Sequence, residues 1–220
     1  MSKPPVDQAW FNQIFRGNSS PMDTVQRFIW LRQLGMPLAR IADFGCFGSD
    51  EPFALLWALD ADEVVVVEKC VDNLTEPKQR LETLQKTNPA CMEGRTIEFV
   101  TADMSTEITR LPTSYFDLAY CKEVLYNLYE PDRQKLRNAI SQMARITKPG
   151  GFVVALECQI GLTPRKNPSG DVFHSLEMIG EHVDVSDLFE EVGLAKTSLH
   201  KPEEGVYCFQ KPALGGPRTP

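Results

Sequence analysis

Nothing in this chain spaces sulfur or imidazole for a metal or a disulfide framework. Its six cysteines, Cys46, Cys70, Cys91, Cys121, Cys158 and Cys208, are scattered without one C-x-x-C pair. Several lie inside apolar stretches, the pattern of reduced, buried thiols. The three histidines, His174, His182 and His200, stand at no metal-ligand spacing, so no metal is expected. No apolar run approaches the ~20 residues that cross a bilayer. Met1-Ser2-Lys3-Pro4-Pro5 leads into polar residues with no apolar signal-peptide core. The expectation is a cytoplasmic protein with no membrane partner. Positive charge is short as well: 23 Lys and Arg against 30 Asp and Glu leave a net charge of −7. An acidic surface repels phosphate backbones, which disfavours nucleic acid as a partner. A G-x-G-x-x-G run, an internal repeat and a low-complexity block are also missing.

What is there reads as one globular domain: 220 residues, 42% apolar and 24% charged. Trp10, Phe11, Ile14 and Phe15 share one face of a short helix. Ser20 reads as an N-cap before Pro21, with Val25, Phe28, Ile29 and Leu31 at helical spacing and Gly35 as a stop. Residues 1–36 are thus expected as a helical cap, 37–213 as the main domain and 214–220 as a flexible tail.

Strands are expected at Arg40–Phe44, Glu63–Glu68, Thr96–Thr101, Phe116–Cys121 and Phe152–Leu156. Between them, helices are expected from Glu51 or Pro52 to Leu59, from a cap at Thr75 with Leu81 and Leu84 inward, and from Pro131 to Ile146. The unbroken valines 64–67 mean a strand covered on both faces, as in a parallel sheet. Lys148-Pro149-Gly150-Gly151 is expected to break the chain before the fifth strand. Gln159 to Val183 shows no period; a helix at Ser186–Val192 and two short strands, Ala195–Leu199 and Val206–Gln210, close the chain. The alternation predicts an α/β, Rossmann-like three-layer αβα sandwich, mostly parallel, with an antiparallel strand at one edge.

The stretch from Ile41 to Pro52 carries the most chemistry. A strand runs into Gly45 and then into a helix whose first N–H groups are unpaired, a site that favours negative charge. Asp43, Asp50 and Glu51 crowd the same place, which repels a pyrophosphate but suits an ammonium or sulfonium. With the dinucleotide glycine pattern also missing, a nicotinamide cofactor is disfavoured. Glu68 ends the second strand, 23 residues beyond Gly45, near the ~20-residue offset at which doubly wound folds hold a ribose diol. Asp103, after the third strand, can accept from an adenine amine, with Met104 against the ring. Asp103 reads equally as a loop aspartate capping the turn near Thr106. Tyr126 and Asn127 follow the fourth strand and can face an acceptor; Tyr126 reads equally as core.

Taken in order, Asp43-Phe44-Gly45-Cys46, Glu68, Ala102-Asp103, Phe116 to Leu125 and Lys148-Pro149-Gly150-Gly151-Phe152 resemble the class I S-adenosylmethionine (SAM)-dependent methyltransferases, over roughly Ile41 to Gln210. The resemblance implies a seven-stranded sheet with the last strand antiparallel, SAM as cofactor and S-adenosylhomocysteine as product. It implies Gly45 near the methionine part, Glu68 on the ribose and Asp103 near adenine. Cys46, Phe47, Gly48, Glu51, Lys69, Met104, Cys121 and Lys122 complete the implied cofactor-binding set. The turn from Gly45-Cys46 to Glu51-Pro52-Phe53 also looks like that of the chemotaxis-receptor glutamate methyltransferases, whose N-terminal helical domain has no match here. Phe47 and Ser49 stand where many family members have further glycines.

The expected reaction is methyl transfer to an O or N atom of a small-molecule acceptor, with Tyr126, Asn127 and His174 as acceptor-binding candidates. Glu123, Tyr126, Glu157 and His174 are candidate bases, and none is singled out. The alternatives are a SAM-binding module without turnover and a protein carboxyl or RNA methyltransferase. Residues 159–183 are expected either to close over the acceptor, with the N-terminal helices, or to form a disordered surface loop.

Overall fold

The computed structural model describes residues 28–47, 50–106, 108–130, 133–157, 160–161, 163–165, 177–179 and 181–213. The expected helices before residue 28, the tail after 213 and His174 lie outside these residues.

Seven strands form one sheet: β1 (Arg40–Phe44), β2 (Glu63–Glu68), β3 (Thr96–Thr101), β4 (Phe116–Lys122), β5 (Thr147–Leu156), β8 (Ala195–Lys196) and β9 (Val206–Gln210). Their order is β3-β2-β1-β4-β5-β9-β8. The chain steps outward from β1 to β3, then returns to lay β4 beside β1. Ligands in doubly wound sheets collect at such a reversal, beyond the strands' C-terminal ends. The first five strands pair in parallel. Helices α1 (Glu51–Ala58), α2 (Thr75–Thr87), α3 (Gln134–Ile146) and α4 (Ser186–Glu191) cover the sheet.

Alternation along each strand divides the core in two. Ile41, Val64, Val66, Leu118, Tyr120 and Val154 pack with Phe28, Leu31 and the buried row Phe53 to Trp57 of α1. Ala42, Phe44, Val65, Val67, Cys121 and Val153 pack with Leu136, Ile140 and Met143 of α3 and with Leu188 and Phe189 of α4. Phe28 and Ile29 are helical and run into a 3₁₀ turn at Trp30–Leu34. That turn ends at Gly35, whose φ of 76° is the left-handed stop the sequence calls for.

Four expectations need correction. Thr75 is the first residue of α2, entered from a 3₁₀ turn at Val71–Leu74, and there is no side-chain cap. The antiparallel strand is not at the edge. β9 pairs with β5 over five positions and buries Tyr207, Cys208 and Phe209, while the two exposed residues of β8 form the edge. Lys148 to Gly151 do not precede β5 but lie within it. Thr147 pairs with Phe116 and Phe152 with Leu118, so residues 148–151 are accommodated opposite Asp117. A Cβ on Gly151 would sit 2.8 Å from the Asp117 carbonyl, so only glycine fits there. The Asp117 carboxylate accepts from the Arg40 N–H at 2.8 Å and pairs with Lys148, which stitches the sheet at the end away from the site. Finally, the segment 159–183 is not wholly irregular. β6 (Thr163–Arg165) and β7 (Glu177–Ile179) form an antiparallel ribbon apart from the main sheet. Strands of three residues leave no period to read.

Among the described residues, no helix is long and apolar enough to cross a membrane.

Candidate active site

The C-terminal ends of β1 and β4 frame a cleft of about 450 Å³. Gly45, Cys46, Phe47, Glu51 and Glu68 form one side; Lys122, Glu123, Val124, Tyr126 and Asn127 form the other.

Gly45 turns the chain at φ 77° and donates its N–H to the Val67 carbonyl at 2.8 Å. A Cβ there would lie 2.5 Å from Val124 Cγ2, so glycine is required both by the angle and by the opposite wall. Phe47 and Glu123, on facing walls, also have left-handed backbones, at φ 46° and 51°. Such conformations cost of order 1–3 kcal/mol each and cluster at functional sites. Phe47 is 78% exposed, a large apolar ring at the mouth of the cleft.

Glu68 is nearly buried and ties the two loops together: Oε2 accepts from the Phe47 N–H at 3.2 Å and Oε1 from the Cys70 N–H at 2.9 Å. Beside it, Lys69 Nζ meets Asp103 Oδ2 at 2.8 Å. Asp103 Oδ1 also accepts from the Ser105 N–H at 2.9 Å and its hydroxyl at 2.7 Å. Partial burial pushes the Asp103 carboxyl up, but Lys69 and Ser105 outweigh it and hold it at about 2. The capping geometry at Asp103 is therefore real, and it leaves the same carboxylate charged.

Asp43 is fully buried, and neither carboxyl oxygen has a hydrogen-bond partner among the described residues. Burial, then the nearby carboxylates of Glu51 and Glu68, raise it well above the usual carboxylate range; Lys122 opposes them. Lys122 itself pairs with Glu51 at 3.3 Å.

Glu157, considered above only as a base, organises the far wall. Its Oε1 accepts from the Val124 and Leu125 N–H groups at 2.7 and 2.8 Å, and Oε2 accepts from the Tyr126 N–H at 3.3 Å. It thus holds the start of the 3₁₀ turn Leu125–Leu128 that presents Tyr126 and Asn127 to the cleft. Burial pushes its carboxyl up to about 7, against the pull of those N–H groups. No local signal announces this, because Glu157 lies more than thirty residues from its partners.

Five described members of the expected set, Asp43, Lys69, Asp103, Met104 and Cys121, are not among the residues that line the cleft. Cys121 is fully buried on the α3 side of the sheet, its thiol 3.8 Å from Glu157 Oε1. Met104 is buried among the core side chains on that same side. Gly48 and His174 fall outside the described residues.

A second cavity of about 360 Å³ adjoins the first across Glu51, Lys122 and Glu123, which line both. Its walls are Phe28, Trp30, Tyr120, Leu156 and Val206, with Glu157, Glu204 and Gly205. The sequence could not reveal it, because it joins the N-terminal segment to the end of β5 and the start of β9.

These residues fit SAM. Buried Asp43, whose charged neighbours Glu51, Glu68 and Lys122 line the cleft, keeps two carboxyl oxygens unpartnered among the described residues. Glu68 keeps acceptor capacity beyond its two N–H partners, and Gly45 leaves the turn without a side chain.

The profile of a methyltransferase-domain family matches residues 42–155, more than half of the chain. No curated protein matches the chain by sequence. A solved SAM-dependent methyltransferase from Methanosarcina mazei superposes with a TM-score of 0.58 at 16% identity, covering 84% of this chain and 97% of that one. One from Mesorhizobium loti gives 0.54 at 17% identity, covering 83% and 96%. The [4+2]-cyclase SpnF gives 0.55 at 16% identity, covering 81% and 60%. At these identities the likeness is one of fold; the profile match, from β1 into β5, assigns the family. The chain belongs to the class I SAM-dependent methyltransferases.

Proposed function

We propose that this methyltransferase transfers the methyl group to an O or N atom of a small-molecule acceptor. The observation that carries this reading is the pair of adjoining cavities sharing the Glu51–Lys122–Glu123 wall. The first has the motif residues of a cofactor cleft. The second, at about 360 Å³, has the size of a small-ligand pocket and mostly apolar walls.

Bound SAM supplies a methyl on a sulfonium, already activated for transfer. The residues of the chain bind, align and exclude water. In this reading Glu68 accepts from the ribose hydroxyls and Asp103 from the adenine amine. Gly45 gives the methionine part close access. Phe47 covers the cofactor from the mouth, and Tyr126 and Asn127 face the acceptor.

Labelled methyl transfer tests this. The chain is incubated with methyl-labelled SAM and a mixture of small metabolites, RNA and protein. Label in the small-molecule fraction is the expected result; label confined to RNA or protein contradicts it.

A further inference from the structure

We propose, resting on the reading above, that the second cavity binds an acceptor made of an aromatic or apolar body and a protonated amine, that its nitrogen receives the methyl, and that the Tyr120 hydroxyl fixes it in place. Three aromatic residues, Phe28, Trp30 and Tyr120, line this cavity, and aromatic faces attract organic cations. The charged groups on its walls are mostly acidic: Glu51, Glu123, Glu157 and Glu204. Lys122, the one lysine among the described lining residues, is engaged with Glu51 at 3.3 Å. Glu204 stands on the exposed rim, where it pairs with Lys201. A carboxylate-bearing acceptor meets like charge on these walls, whereas an ammonium does not.

Tyr120 supplies a separate observation. It is fully buried, it lines the cavity, and its hydroxyl has no hydrogen-bond partner among the described residues. Buried hydroxyls are nearly always paired, so an unpaired one beside a cavity marks the place of a ligand atom. Burial pushes this phenol far above its usual range, so it stays protonated and can both donate and accept. Tyr120 sits beside Asp43 in the β1–β4 register, which sets the two unpartnered groups on one face next to the shared wall. The chemistry balances. The bound ammonium first passes one proton to the Glu157 carboxylate, which burial holds at about 7. The lone pair this frees on nitrogen forms the new N–C bond while the C–S bond breaks with its electrons left on sulfur, so the positive charge moves from sulfur to the methylated nitrogen.

The test is calorimetric titration of the S-adenosylhomocysteine complex with three matched probes: 2-phenylethylamine, 2-phenylethanol and 3-phenylpropionate. The amine is expected to bind at least tenfold tighter than the carboxylate. Tyr120→Phe is expected to weaken the amine five- to tenfold while leaving S-adenosylhomocysteine affinity and Tm unchanged, because the hydroxyl has no protein partner to lose. Glu204→Lys, on the exposed rim, is expected to narrow the amine-to-carboxylate ratio. Equal or tighter binding of the carboxylate, binding of none of the probes, or unchanged amine affinity in Tyr120→Phe overturns the inference. Failure of S-adenosylhomocysteine itself to bind overturns the underlying reading instead.

Discussion

Gly45 and Val124 face each other across the cleft, and their fit makes a sharp prediction. Gly45→Ala adds a Cβ at 2.5 Å from Val124 Cγ2 and forces alanine to φ 77°. The left-handed angle alone costs about 1–2 kcal/mol, and the clash adds to it. In Gly45→Ala/Val124→Ala the clash is relieved but the backbone strain stays. Denaturant titration should therefore show partial recovery relative to Gly45→Ala. Full additivity of the two destabilisations contradicts the contact. Glu68 yields a second residue-scale prediction. Glu68→Ala should weaken SAM roughly ten- to a hundredfold, about 1.5–3 kcal/mol for lost hydrogen bonds to a charged group. Circular dichroism must show a folded variant, since the same carboxylate holds the Phe47 and Cys70 N–H groups. Unchanged affinity leaves Glu68 as a loop tie alone. The place of both residues in the cleft was legible in the sequence, because it is carried by position after a strand. Tyr120 was not: inside Phe116–Cys121 it reads as one more buried strand residue. Only the fold shows that its hydroxyl lacks a partner.

Among the elements, the start of α4 and the closing hairpin are joined by a network the sequence kept hidden. The Ser186 hydroxyl donates to Asp184 Oδ1, and the His200 Nε2–H donates to the Ser186 oxygen at 2.9 Å. His200 Nδ1 accepts from the Cys208 N–H at 3.3 Å. This arrangement needs neutral His200. Burial first, then Lys196, holds its pKa below the usual 6.5, with Asp184, Glu190 and Glu203 opposing. The unfolded chain therefore takes up the proton more readily than the folded one. The stabilising contribution is complete above pH 6.5 and is lost as the pH falls through that value to the folded pKa. Melting curves from pH 7.5 to 5 should show wild type losing stability over a window in which His200→Gln loses less. Parallel curves for the two proteins contradict this. The strands β1 to β4 were readable because each alternates with, or is bounded by, clear turn signals. The position of β9 was not, since its pairing with β5 rather than with an edge is set by fifty residues of intervening chain. The Lys148–Gly151 insertion was read as a boundary because glycine and proline look alike at a boundary and at a bulge.

For the molecule as a whole, the order of the strands explains why the chemistry gathers in one place. The return from β3 to β4 opens the sheet beside β1, and the loops after both strands meet there as Gly45 and Val124. Gly45, Cys46, Phe47, Glu51, Glu68 and Lys122, which line the first cleft, follow from short-range patterns, and so they were singled out in advance. The second cavity is assembled from Phe28, Tyr120, Leu156 and Val206, which only the fold brings together. The most direct measurement is a crystal structure of the chain with S-adenosylhomocysteine. The ligand should occupy the cleft between Gly45 and Val124, with its ribose hydroxyls within hydrogen-bond distance of Glu68 and its sulfur directed at the wall shared with the second cavity. A ligand bound elsewhere, or one with its sulfur turned away from that wall, contradicts the account.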